Sequence, residues 1–293
     1  MATSRVWVNN NNFPYYVRKR EGQFYLQTWH GTPIKKLLLD ISRRKVPLSY
    51  RRIMHNEVPQ WDLLLAQSNE AAKTLSASLG HEGEIVVGEQ PRNVRLFQCL
   101  QRQGEIRQRL GLDADERVIL YVPTWRNADR NGRRLRWRQL LEPQKLAEAT
   151  NARVLVRAHH VARAENIELP GVKDVSDYPH VEELMSVTDV LITDYSSIVY
   201  DFDLTGGTSV HYVPDRESYG KERGTYPDWA KGRNVAENFT ELLNLIDVAF
   251  DSVPREATSG NQWPEMDELV RLLKEHALRR DDKDGVTSIG ASV

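Results

Sequence analysis

Short, nearly continuous apolar runs alternate along this chain with segments whose apolar positions recur every three or four residues. Unbroken apolar runs of four to six residues suit strands covered on both faces of a parallel sheet. They predict strands over 5–9, 23–29, 62–68, 84–88, 117–125, 153–159, 172–176, 189–194 and 208–213. The intervening periodicity predicts helices over 34–45, 48–56, 69–79, 102–110, 138–149, 180–187, 197–204, 237–251 and 263–279. Strand–helix alternation of this kind is the signature of a doubly wound α/β architecture.

The pattern breaks near 91–112, where "PRNVRLF" and a polar stretch separate two strand–helix series. The expected organisation is a partial N-terminal Rossmann-like domain over 1–100 and a C-terminal one over 101–280, followed by a tail at 281–293. The first series starts abruptly on a strand and reads as truncated. The tail has few large apolar residues and reads as disordered.

Composition narrows the class. Of 293 residues 40% are apolar and 28% charged, as expected of a soluble globular protein. One cysteine, Cys99, excludes an internal disulfide. The sequence shows neither a secretory leader nor an apolar run long enough to cross a bilayer. Charge is uneven: residues 1–60 carry 11 Lys/Arg against 3 Asp/Glu in a chain of net charge -1. That half is expected to face something anionic. Nucleic acid is disfavoured, because no recognition module accompanies the basic stretches. An amphipathic basic helix at 34–45, followed by "YRRIM", would suit an anionic membrane surface.

Several strand ends carry chemistry. In "DVLITDYSSIVYDF" (189–202), Ser196 and Ser197 open a helix whose free N–H groups and hydroxyls suit phosphate oxygens. Asp201, one turn on, could accept from a polyol hydroxyl. "VLVRAHH" puts Arg157 and His159 on one side of a strand end, a phosphate fork beside a titratable imidazole. Pro123 and Thr124 end the strand of "YVPTWR" with a hydroxyl and a backbone N–H. In "TWHGTP", Gly31 allows close backbone approach, Thr32 can cap, Pro33 suits a first helical turn, and His30 is left without a structural reason. Arg92 is a cation at the junction between the two series.

Taken in order, "TWHGTPIKKL", "QPRN", "YVPTWR", "VRAH" and "VLITDYSSIVYDF" resemble the CDP-glycerol glycerophosphotransferases of teichoic acid synthesis, with similarity over about residues 6–230. The resemblance implies a GT-B-like fold, two Rossmann-like domains facing a cleft, with the N-terminal one shortened. It implies transfer of glycerol phosphate from CDP-glycerol, or ribitol phosphate from CDP-ribitol, to a polyol-phosphate polymer or lipid-linked primer, with release of CMP. Neither a cofactor nor a catalytic metal is implied. His30 and His159 would be the catalytic residues. Donor contacts would fall on Trp29, Gly31, Thr32, Pro33, Arg92, Pro123, Thr124, Arg157, Ser196, Ser197 and Asp201. The implied location is cytoplasmic, at the inner face of the membrane. Two other readings stay open: another GT-B nucleotide-sugar transferase or epimerase, and a non-catalytic remnant that binds polyanion or membrane.

Overall fold

A computed structural model describes residues 4–124, 126, 137–158, 168–252 and 264–278. The described residues fall into two compact units. One draws on Met1–His30, Ser42–Glu89 and Trp263–Val293; the other draws on Gly31–Ile41 and Gln90–Gln262.

The first unit is built on four parallel strands in spatial order β1 (Val6–Asn9), β2 (Phe24–Gln27), β3 (Leu63–Ala66) and β4 (Glu84–Val87). Strand β3 is buried at every position, which explains its uninterrupted leucines. Helix α1 (Leu48–Glu57) precedes β3, and α2 (Asn69–Leu79) follows it. Ser68 Oγ caps α2 by accepting from Ala71 N at 3.1 Å, and Gly80 ends it in the left-handed conformation. Leu269 buries itself against Leu26, Leu63 and Leu65, so the final helix, Pro264–Leu278, covers this sheet.

The second unit begins with α3 (Arg92–Leu100) and α4 (Gln103–Leu110). Next along the chain are β5 (Val118–Val122), α5 (Trp137–Leu140), α6 (Pro143–Thr150), β6 (Arg153–Val156), β7 (Glu168–Leu169) and β8 (Val172–Asp174). They are followed by α7 (Val181–Ser186), β9 (Val190–Thr193), α8 (Ile198–Phe202), β10 (Thr208–Tyr212), α9 (Arg216–Glu222), β11 (Asn234–Ala236) and α10 (Phe239–Asp251). The Pro264–Leu278 helix is thus α11. The sheet runs β11-β10-β9-β5-β6-β8-β7, parallel except for the short edge strand β7. From β5 the chain winds outward through β6 to β8, then returns beside β5 as β9 and winds the other way. Strand order therefore reverses between β5 and β9, where open α/β sheets form their ligand crevice.

Alternation along the central strands divides the core between the two faces. Val118, Leu120 and Leu191 pack on one side with Leu184, Val199 and Phe202. Ile119, Tyr121, Val190 and Ile192 pack on the other with Leu146, Leu242 and Ile246.

All nine predicted strands are present in part, and β7 and β11 are additional. The helix expected at 34–45 is not there: it is a single 3-10 turn at Leu38–Asp40. Ile34 is buried in the second unit's core, and Lys35 forms an antiparallel bridge with Thr225, so the backbone here is committed to lateral hydrogen bonds. The segment 91–112, read as a break, carries the helix expected at 102–110 as α4, and before it α3, which was not expected. Asn93, Leu96 and Cys99 form the buried stripe of α3. Helix α9 was also not expected. Over 138–149 the chain makes two helices, because Pro143 starts α6 afresh. His159, the tail at 281–293 and most of the basic stretch 126–140 lie outside the described residues.

Candidate active site

In the second unit the C-terminal ends of β5 and β9 are joined by one carboxylate. Asp194, just past β9, accepts from Thr124 N at 3.0 Å, from Thr124 Oγ1, from Tyr195 N at 2.6 Å and from Arg126 Nη1 at 2.7 Å. Arg126 is itself buried and forks onto Asp215, with Nε at 2.7 Å and Nη2 at 3.2 Å. Its guanidinium also lies over the rings of Tyr195 and Tyr219, which stack at 3.8 Å. The two carboxylates hold the guanidinium firmly protonated despite burial. Below this cluster His211 donates from Nδ1 to the Asp194 carbonyl at 2.5 Å, and burial pushes its pKa down, so the ring stays neutral.

Ser196 and Ser197 follow directly and are both partly buried. Ser196 Oγ accepts from Ile198 N at a long 3.4 Å, while Ser197, at the N-cap of α8, makes no side-chain capping bond. Gly31 lies against Ser197: a Cβ at residue 31 would stand 2.9 Å from Ser197 Cβ and closer still to its Oγ. Its φ of +147° also disfavours any other residue. Thr32 and Pro33 are partly buried, and no helix starts at either, so Thr32 caps none.

Arg157, past β6, is half-buried and donates from Nη1 to the carbonyls of Val175 at 3.1 Å and Tyr178 at 2.5 Å. Burial lowers its pKa. Pro123 is buried. Arg92 and Asp201 meet each other: Nε and Nη2 of Arg92 donate to the two carboxylate oxygens at 2.9 and 3.0 Å, and Asn93 Nδ2 adds a third donor at 3.2 Å.

The remaining two candidates belong to the first unit. Trp29 is buried with φ +54°, stacked on His30 at 4.5 Å and edge-on to Trp61. His30 is exposed, and its Nδ1 lies 3.0 Å from the Asn10 carbonyl. A carbonyl only accepts, so the proton sits on Nδ1 and the basic lone pair of the neutral ring on Nε2. Sequence reasoning missed Asn10, Asp194, Arg126 and Asp215. For Asp194 and Arg126 a weak signal existed, since each follows an apolar run.

Comparison with known proteins follows the same lines. The profile of the family described as "CDP-Glycerol:Poly(glycerophosphate) glycerophosphotransferase" matches residues 1–260. A teichoic acid poly(glycerol phosphate) polymerase of Bacillus spizizenii is 32% identical over 244 residues, 79% of this chain and 62% of that one. The chain thus spans less than two thirds of that relative's length. The solved wall teichoic acid polymerase TagF superposes with a TM-score of 0.72 at 27% identity, covering 92% of this chain and 74% of that one. A TagF variant soaked with CDPG gives 0.70 at 26% identity, covering 92% and 73%. The fold is accordingly the GT-B-like, Rossmann-type one.

Proposed function

Because the chain belongs to the CDP-glycerol:poly(glycerophosphate) glycerophosphotransferase family, we propose that it moves glycerol phosphate from CDP-glycerol to a hydroxyl of a teichoic-acid-type polymer or its lipid-linked primer, releasing CMP. The observation that carries the reading is the exposed imidazole of His30, whose Nδ1 lies 3.0 Å from the Asn10 carbonyl and donates to it.

In this mechanism His30 Nε2 takes the proton of the acceptor hydroxyl as its oxygen attacks the phosphorus that bears glycerol. The bond from that phosphorus to the bridging oxygen breaks, and the electron pair leaves with CMP. Ser196, Ser197, Arg157 and His159 hold the pyrophosphate and offset charge growing on the departing phosphate. Gly31 lets the backbone approach Ser197 closely, which a side chain there would prevent. Arg92 and Asp201 act as a mutually paired unit supporting α8, which the two serines directly precede. A lipid-linked acceptor would place the enzyme at the inner face of the membrane. The exposed cations Arg43, Arg44, Lys45 and Arg52 beside exposed Leu48 are the groups that anionic lipid would meet. Among the described residues no helix is long and apolar enough to cross a membrane.

The test is CMP release from CDP-glycerol with a poly(glycerol phosphate) acceptor. His30→Ala should lower turnover roughly 10²–10⁴-fold while CDP-glycerol still binds. Unchanged turnover would remove His30 from the mechanism; CDP-ribitol used in preference would change the donor but not the chemistry.

A further inference from the structure

The segment after Gly31 is clipped to the second unit along its length. Tyr226 N donates to the Ile34 carbonyl at 2.9 Å, Lys36 N donates to the Gly224 carbonyl at 3.2 Å, and Leu37 N donates to Tyr226 Oη at 3.2 Å. Tyr226 Oη in turn donates to Asp40 Oδ2 at 2.7 Å. Lys36 lays its stem over Gly224. Neighbours in an extended segment project to opposite sides, so Lys35 does not share that surface.

Lys35 is partly buried, and its electrostatic neighbours are Asp194, Arg223 and Arg126. Among the described residues its ammonium makes no ion pair and no hydrogen bond, so Asp194 attracts it only from beyond ion-pair distance. Asp194 has no need of it, since Thr124, Tyr195 and Arg126 already fill its oxygens. Arg126 is likewise committed to Asp194 and Asp215. Two carboxylates and three cations thus leave one positive charge in excess beside the ends of β5 and β9. A desolvated cation repelled by two arginines costs stability unless an anion completes it.

We propose that the Lys35 ammonium is a phosphate-binding group, taking an oxygen of the pyrophosphate of a bound nucleotide donor beside Asp194 at the ends of β5 and β9. The inference rests on the donor reading above and adds to it a residue that the strand-end motifs do not include. A lysine that served only as a structural counter-ion to Asp194 would stabilise the free protein. A ligand-binding lysine destabilises it and is repaid when the donor arrives.

Three proteins separate these roles: wild type, Lys35→Met, which keeps the apolar stem, and Lys35→Arg, which keeps the charge. Titration calorimetry with CDP-glycerol, CDP and inorganic pyrophosphate, beside thermal denaturation of the free chains, gives the readout. Lys35→Met should bind CDP-glycerol and CDP roughly 10- to 100-fold more weakly, with a melting temperature equal to or above wild type. Lys35→Arg should recover most of the affinity. Equal affinity in wild type and Lys35→Met, or a melting temperature that falls with affinity unchanged, overturns the proposal. Should the Met variant not fold, acylation of Lys35 in the wild type decides: CDP or pyrophosphate should slow it, and no protection refutes the role. Wild type that ignores CDP-glycerol yet shows Lys35 protected by pyrophosphate would overturn the donor reading and leave this one standing. Binding of neither would overturn both.

Discussion

Arg92 grips both carboxylate oxygens of Asp201, a residue 109 positions later in the chain, and so ties the start of α3 to α8. Asp201 is buried and Arg92 about a third exposed. Replacing Arg92 by Ala leaves the carboxylate to Asn93, and we expect a loss of about 2–4 kcal/mol. Urea denaturation measures it. The pair Arg92→Met with Asp201→Leu should recover much of that loss, since no buried charge is then stranded.

Arg126 should be still less dispensable. It is buried between Asp194 and Asp215, and Arg126→Met would leave the buried Asp194 and the partly buried Asp215 without their shared cation. The expected cost is about 3–5 kcal/mol. Arg126→Lys should not restore the wild-type midpoint, because one ammonium cannot reproduce a fork on Asp215 and a third bond to Asp194.

Gly31→Ala meets Ser197 and an unfavourable φ together. We expect about 1–3 kcal/mol of lost stability and weaker donor binding. Adding Ser197→Gly should recover part of the melting temperature by removing the clash. If Ser197 holds phosphate, the double variant should still bind CDP-glycerol poorly; full recovery of binding would refute that contact.

Lys35 has its own pH signature. Burial, opposed by attraction to Asp194 and aided by repulsion from Arg223 and Arg126, pulls its pKa down from 10.5 to about 8. Between those values the unfolded chain binds the proton that the folded chain has lost, so stability rises with pH. Wild type minus Lys35→Met should therefore gain on the order of 2 kcal/mol from pH 7.5 to 10.5. A flat difference across that range would show that the ammonium is not desolvated.

The sheets were legible because their physics is local. Leu63–Ala66, Val118–Val122 and Val190–Thr193 are buried at nearly every position, and such strands announce themselves as apolar runs. Helix α3 escaped notice because its inward face includes Asn93 and Cys99 beside a single leucine, in a segment dense with polar residues. The segment 34–45 misled in the opposite way. Its leucines and lysines have helical spacing, but the partners at Gly224–Tyr226 are almost two hundred residues away. The candidate site shows the same division. Its serines, the strand-end arginine and the glycine could be picked out from local pattern. The Asp194–Arg126–Asp215 network could not, because it joins residues 68 to 89 positions apart.

The buried stripe of α3 also equips the protein with a built-in reporter. Cys99 is the only thiol in the chain, and burial raises its pKa, so little thiolate is present or reachable near neutral pH. A thiol-reactive dye added in excess should label the native protein slowly and the unfolded one at once. Labelling rate then reads the opening of the second unit alone, without an introduced probe, in every variant named above.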